Sequence, residues 1–139
     1  MRKIYYKGGY KYRLDEYYRV DIPVWPIKPV ETEYIKLSLF GRLEIMEGYN
    51  WDGPSGPTFD TKNFMRPSLV HDALYQLMRE GHLQGGNSPT RKTIDKLLQR
   101  QCIEDGMSRV RAWWVYKGVH YGARKSSTAG NIRPVQSAP

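Results

Sequence analysis

Residues 64–82 read FMRPSLVHDALYQLMREGH, and here the hydrophobic period of the chain changes. Leu69, Ala73 and Leu77 recur every four residues with Val70, Leu74 and Met78 beside them, the broad apolar stripe of an amphipathic helix. Pro67 suits a first helical turn, where its missing N–H would have had no partner. Gly81 is placed to stop the helix. The same helix carries His71, Asp72 and Tyr75. His71 and Tyr75 lie one turn apart on one face. Asp72 is rotated about 100° from His71, so the two side chains do not meet side by side.

Before this helix the pattern is β. Two short aromatic runs flank Gly8 and Gly9 in KIYYKGGYKYRL (3–14), a hairpin signal. YYRVDI (17–22) alternates and stops at Pro23. PVWPIKP (23–29) holds three prolines in seven residues, so it is a loop or an extended edge segment. Next, Ile35, Leu37 and Leu39 oppose Tyr34, Lys36 and Ser38, Gly41 interrupts, and RLEIMEG (42–48) resumes with period two. That predicts a second hairpin. Residues 1–48 are therefore expected to form a small antiparallel sheet. GYNWDGPSGPTFDTKN (48–63) follows, with three Gly and two Pro among turn formers, which argues against regular structure. A connection of this length in a compact domain is commonly functional.

After LQGGNSP (83–89), a second helix opens at Ser88-Pro89 or at Thr90. It runs through TIDKLLQRQCIEDG (93–106) with Ile94, Leu97, Leu98 and Cys102 inward and Gly106 closing it. A third helix takes Ser108 as N-cap and continues as RVRAWWVYKGVHYGA (109–123). Its Val110, Trp113, Trp114 and Tyr116 are expected in the core rather than on a ligand platform. RKSSTAGNIRPVQSAP (124–139) has little to bury and is expected to be a flexible tail. The fold class is thus α+β, a small N-terminal antiparallel sheet followed by three helices. One domain is expected over 1–123, divided into a β part (1–48), a Gly/Pro loop (49–62) and a helical part (63–123).

A chain of 139 residues with 40% hydrophobic and 26% charged residues has the composition of one globular domain. No run reaches the roughly 18 apolar residues of a membrane span. MRKIYYKGGYKYRL lacks the apolar core of a signal peptide. The single cysteine, Cys102, excludes a disulfide framework or a Cys-based zinc site within one chain, and its apolar neighbours make it a buried structural thiol. The formal charge of +8 suits nucleic acid, phospholipid headgroups or an acidic protein. No run of cations exceeds two, which favours a solvated basic surface over a nucleic-acid stripe.

The chemistry centres on His71. A histidine that activates water needs a carboxylate on its other ring nitrogen to hold its tautomer. Asp95, an acid within the apolar stretch TIDKLL, is the candidate, because an antiparallel second helix would bring it opposite His71. Asp72 would face another part of the site and hold a cation that polarises the substrate. Ca2+ takes oxygen ligands, often loop carbonyls. NWDGPSGP offers Gly53 and Gly56 for unusual dihedrals, with the side chains of Asn50, Asp52 and Ser55. Asp52 is equally an Asx-turn residue. Ser55 lacks the strand-to-helix turn of a nucleophile elbow. His82 and His120 lack metal-ligand spacing to His71 and read as structural.

GPTFD, HDALY and TIDKLL together resemble the phospholipase A2 core, closest to the compact disulfide-free form of parvovirus capsid proteins. That resemblance implies that His71 activates water, Asp95 orients it, Tyr75 supports the network, and Asp72 binds Ca2+ with the carbonyls of Gly53 and Gly56. The Tyr-x-Gly-x-Gly calcium loop of that family is absent, and Leu97 and Leu98 stand about where it has an aromatic residue. The longer run from GYNWDGPSGPT through HDALY and TIDKLL to YKGVHYGA is similar to a family of phage and prophage proteins known as domain of unknown function 1353, over about three quarters of the chain. The resemblances imply a phage-type protein of the host cytoplasm or the virion with a metal-assisted hydrolase site for lipid esters. Its partners would be an anionic membrane or phage structural proteins. One alternative is a non-enzymatic virion or assembly protein in which the His-Asp-Tyr cluster is a buried polar network. Another, supported by charge alone, is a nucleic-acid-binding accessory protein.

Overall fold

The computed structural model of the chain describes residues 6–7, 12–51, 62–84 and 89–122. Among them, seven short strands precede three helices: β1 (Tyr6–Lys7), β2 (Tyr12–Leu14), β3 (Tyr18–Asp21), β4 (Val30–Glu31), β5 (Ile35–Leu37), β6 (Arg42–Ile45), β7 (Asn50–Trp51), α1 (Lys62–Arg79), α2 (Arg91–Glu104) and α3 (Arg109–Gly122). The architecture is α+β, with the strands in the N-terminal half. They build two antiparallel sheets where one was expected, in the orders β1-β2-β7 and β3-β6-β5-β4. The split arises because β2 finds its second partner in β7 while β3 pairs with β6. Consecutive strands thus enter different sheets.

Both predicted hairpins form. β1 pairs with β2 through Tyr6↔Leu14 and Lys7↔Arg13. β5 pairs with β6 through Ile35↔Ile45 and Leu37↔Leu43, and all four of these side chains are buried. Cross-strand apolar pairs on one face are what anchor a hairpin register. The turn between them depends on Gly41, which has φ +88°. A Cβ there would sit 2.2 Å from the Ile22 carbonyl oxygen. Gly41 also accepts a hydrogen bond from the Ile22 amide at 2.8 Å, so the turn is pressed against the end of β3. Residues 23–29 form no strand, as the prolines require.

The stretch 48–63 is not wholly irregular. Asn50 and Trp51 form β7, with Tyr12↔Trp51 and Arg13↔Asn50 in register. Trp51 is fully buried, its ring 5.6 Å from that of Tyr12. A two-residue strand has no readable period; it exists because a distant partner and the core receive it. Gly53, Gly56, Asp52 and Ser55 lie outside the described residues.

Helix α1 begins at Lys62, so Pro67 stands inside the helix rather than in its first turn. The lost bond is the one an amide at 67 would have donated to the Asn63 carbonyl. Tertiary packing makes up for it. Every residue from Phe64 to His71 is buried, because this helix is covered on more than one side. Against the first sheet, the Trp51 indole Nε1 donates to Ser68 Oγ at 3.1 Å and the Tyr49 hydroxyl donates to Gln76 Oε1 at 3.0 Å. On another side α1 packs on α2, which in turn packs on α3. The predicted stops hold: Gly81 and Gly106 both take positive φ, and the amides of His82 and Met107 reach back to the carbonyls of Leu77 and Cys102. Thr90 caps α2 and Ser108 caps α3 through side-chain oxygens that accept from Thr93 N–H and Arg111 N–H.

Two apolar clusters result. The larger joins both sheets to α1 and α2 through residues such as Leu14, Leu43, Trp51, Leu74 and Ile94. The smaller gathers Phe64, Leu98, Cys102, Met107, Ala112 and Val115 where the three helices meet. Cys102 is a buried free thiol pushed up to about 12 by burial. The expected aromatic core of α3 is corrected. Ala112, Val115 and Tyr116 face inward, but Val110, Trp113 and Trp114 face outward. A helix packed chiefly on one neighbour, here α2, buries one stripe only, and positions 112, 115 and 116 take it.

Candidate functional site

Arg66 meets Asp105 and His71 meets Asp95, so α1 and α2 run antiparallel. That arrangement carries Asp95 to the inner face of α2, where it is fully buried. Its Oδ1 is 2.8 Å from His71 Nε2 and accepts the Tyr75 hydroxyl at 2.6 Å. Its Oδ2 is 3.0 Å from His120 Nδ1. Each helix thus contributes to one carboxylate: His71 and Tyr75 from α1, Asp95 from α2, His120 from α3. The rings of His71 and Tyr75 lie 4.2 Å apart, as expected one turn apart on a helix. Tyr116 stacks on His120 with ring centroids 5.4 Å apart.

Asp72 sits at the other side of the ring. Its Oδ1 is 3.7 Å from His71 Nδ1, close enough for charge attraction but too long for a hydrogen bond. The Asp72 side chain is 31% exposed, whereas His71 as a residue is 7% exposed. The ring is therefore covered, with the partly exposed Asp72 carboxylate at its Nδ1 edge.

Electrostatics follow from this placement. Burial opposes a charge on His71, yet Asp72 and Asp95 more than offset it and hold the imidazole above its ordinary value of 6.5. Burial likewise opposes charge on Asp95, but bonds from His71, Tyr75 and His120 hold its carboxyl below the usual range. Burial and the neighbouring carboxylate push the Tyr75 phenol well up, so it remains a donor. With Tyr75 protonated and Asp95 ionised, the cluster has a fixed polarity: donors converge on Asp95, and His71 Nε2 donates its proton inward. A neutral His71 then has its lone pair on Nδ1, toward Asp72.

Of the residues singled out in the sequence, His71, Tyr75 and Asp95 come together, with Asp72 adjacent. Asp52, Gly53 and Gly56 fall outside the described residues. Among the described residues, no group of three or more His, Cys, Asp or Glu side chains is arranged to hold a metal ion. His120, set aside as structural for want of metal-ligand spacing, turns out to bond Asp95. Its signal in the sequence was its helical offset from Tyr116, which places both on one face. A second polar cluster escaped the sequence altogether. Buried Arg66 forks onto Asp105 with two 2.9 Å bonds, and its Nη1 donates to the Tyr18 hydroxyl at 3.3 Å.

Comparison of the chain with protein-family models, with curated proteins and with solved structures returns no match. No helix among the described residues is long and apolar enough to cross a membrane.

Proposed function

We propose that the cluster is a histidine general-base site of a small hydrolase acting on an ester, of the lipid class. The observation that carries this reading is the 2.8 Å bond between His71 Nε2 and the buried Asp95 carboxylate. It sets the tautomer that leaves Nδ1 to accept a proton from water. Asp95 orients the ring and balances the imidazolium that forms. Tyr75 and His120 hold Asp95 in turn. Asp72, half-exposed beside Nδ1, is the described residue that would ligate Ca2+, with Asp52 and the carbonyls of Gly53 and Gly56 completing the set. When bound, such a cation supplies Lewis-acid polarisation of the ester carbonyl. The local resemblance to phospholipase A2 supports the same chemistry, and the resemblance to the phage family of unknown function would make it a phage-type protein of the host cytoplasm or virion.

The test is hydrolysis of a short-chain phospholipid with and without Ca2+, by the wild type, His71→Asn and Asp72→Asn. The wild type is expected to cleave with a rate that rises with pH through a value above 6.5, because only neutral His71 is a base. His71→Asn is expected to lose on the order of a thousandfold, and Asp72→Asn to lose the calcium dependence. No cleavage by a folded wild type, with or without Ca2+, would sink the proposal.

One observation favours a second reading. His71 is only 7% exposed, the burial expected of a polar lock that fastens the three helices in a non-enzymatic virion or assembly protein. In that case His71→Asn lowers the melting temperature and leaves no activity to lose.

A further inference from the structure

The outward stripe of α3 is not explained by the cluster that its inward face completes. Val110 is 70% exposed, Trp113 43%, Trp114 64% and Tyr121 65%. With Lys117 these residues recur at intervals of three and four, so they form one continuous face of the helix. Single exposed apolar residues are ordinary, but a row containing two tryptophans marks a surface that meets something.

Charge names the partner. From Met107 to Pro139 the chain has six cations (Arg109, Arg111, Lys117, Arg124, Lys125 and Arg133) and no carboxylate. This quarter of the sequence therefore holds six of the eight net positive charges. A second copy packed stripe to stripe would set the three cations of α3 (Arg109, Arg111 and Lys117) against their copies, with no carboxylate on the helix to answer them, which argues against self-association through the stripe. An anionic surface complements them.

The choice between an anionic bilayer and nucleic acid turns on ring geometry. Base stacking needs an open aromatic face. Here Trp113 and Trp114 meet edge-on, with centroids 4.9 Å apart at 75°, and the Lys117 amine lies 5.3 Å over the Trp113 ring and 5.5 Å over that of Tyr121. The Trp113 face is thus shared with a lysine, and Val110 adds an aliphatic group of no use to bases. Tryptophan, tyrosine and valine beside lysine and arginine are instead the components of a helix that lies at a bilayer interface. We infer that the Val110–Tyr121 face of α3 is a docking surface for an anionic phospholipid membrane. Its position is consequential: the Tyr121 ring stands edge-on 5.1 Å from His120, the residue that bonds Asp95, so the stripe ends beside the candidate site. The docking surface stands independently of the chemistry proposed at His71.

Vesicle flotation with the full chain tests this, using phosphatidylcholine vesicles with and without about one-third phosphatidylglycerol. The wild type is expected to float with the anionic vesicles only, and to be released by salt. Trp113→Ser and Trp114→Ser, whose exposure makes them tolerable to the fold, should each weaken binding on the order of tenfold. Lys117→Gln should weaken it on the order of fivefold. His71→Asn should bind as the wild type does, so failure of the hydrolase reading and failure of this one remain distinct. The inference is overturned by equal binding to neutral vesicles, by no binding, or by full binding of the Trp113→Ser/Trp114→Ser double variant with an unchanged melting curve. It is also overturned if single-stranded oligonucleotide or a second copy of the chain, rather than the bilayer, is what the same variants lose.

Discussion

Replacing Asp95 with asparagine isolates the charge of the buried carboxylate from its shape. The amide keeps an oxygen that can accept from Tyr75 and His71, which now approach at 2.6 and 2.8 Å. It removes the negative charge beside the His71 ring and turns the other oxygen into a donor facing His120 Nδ1. Removing one member of a buried ion pair costs about 3–5 kcal/mol. The asparagine retains neutral bonds, so the loss near pH 6 should fall at the low end, about 3 kcal/mol, a large part of a marginal stability. The pH dependence carries the sharper content. His71 has a folded pKa raised above 6.5, so its pairing contributes fully below that pH and is lost as pH rises through the folded value. Asp95 has a depressed pKa, so its contribution is present above the ordinary carboxylate range and is lost as pH falls through the folded value. The gap between wild type and Asp95→Asn should therefore be widest in mildly acidic solution and narrow to about 1 kcal/mol in alkaline solution. Urea unfolding followed by tryptophan fluorescence, repeated across pH, measures it. A gap that stays constant from about pH 5 to about pH 9 would refute the reasoning, since it would mean that the Asp95 charge leaves the protonation of His71 unchanged in that range.

Other perturbations probe the frame around the site. Gly41→Ala combines a left-handed residue with a Cβ set against the Ile22 carbonyl, and should cost about 3 kcal/mol in urea unfolding; a loss under about 1 kcal/mol would show that the turn simply relaxes. Arg66→Lys keeps the charge but loses the two-pronged bond to Asp105, and should destabilise by about 2 kcal/mol, less than Arg66→Ala. Equal losses for the two would mean that the fork geometry is immaterial. Cys102, buried with its thiol pushed up to about 12, should resist alkylation at pH 8 until the protein unfolds. Labelling of the native protein at the rate of a free cysteine would contradict its burial.

Much of the helical half was legible because its signals are local. The four-residue recurrence from Leu69 to Leu77, the glycines at 81 and 106 and the N-cap at Ser108 act within one or two turns, and each appears where the pattern put it. The His71–Asp95 pairing was legible for a related reason. With a short connection the second helix folds back antiparallel, and an acid placed among Ile94, Leu97 and Leu98 is carried inward with them. The place of Pro67 in α1 was misread because proline favours first turns only on average, and burial of the helix outweighed that preference. The aromatic third helix was misread because hydrophobicity says how much surface a helix would bury, and not whether a neighbour is there to bury it.

Period, caps and turn residues, then, are properties of short segments, and they suffice for the element types, the two hairpins and the candidate pair on facing helices. The division into two sheets, the β7 strand, the Arg66–Asp105 fork and the arrival of His120 at Asp95 were decided by the tertiary structure. Each joins residues far apart along the chain. Whether such groups meet depends on loop closure and on packing against a shared core, quantities that no single segment carries.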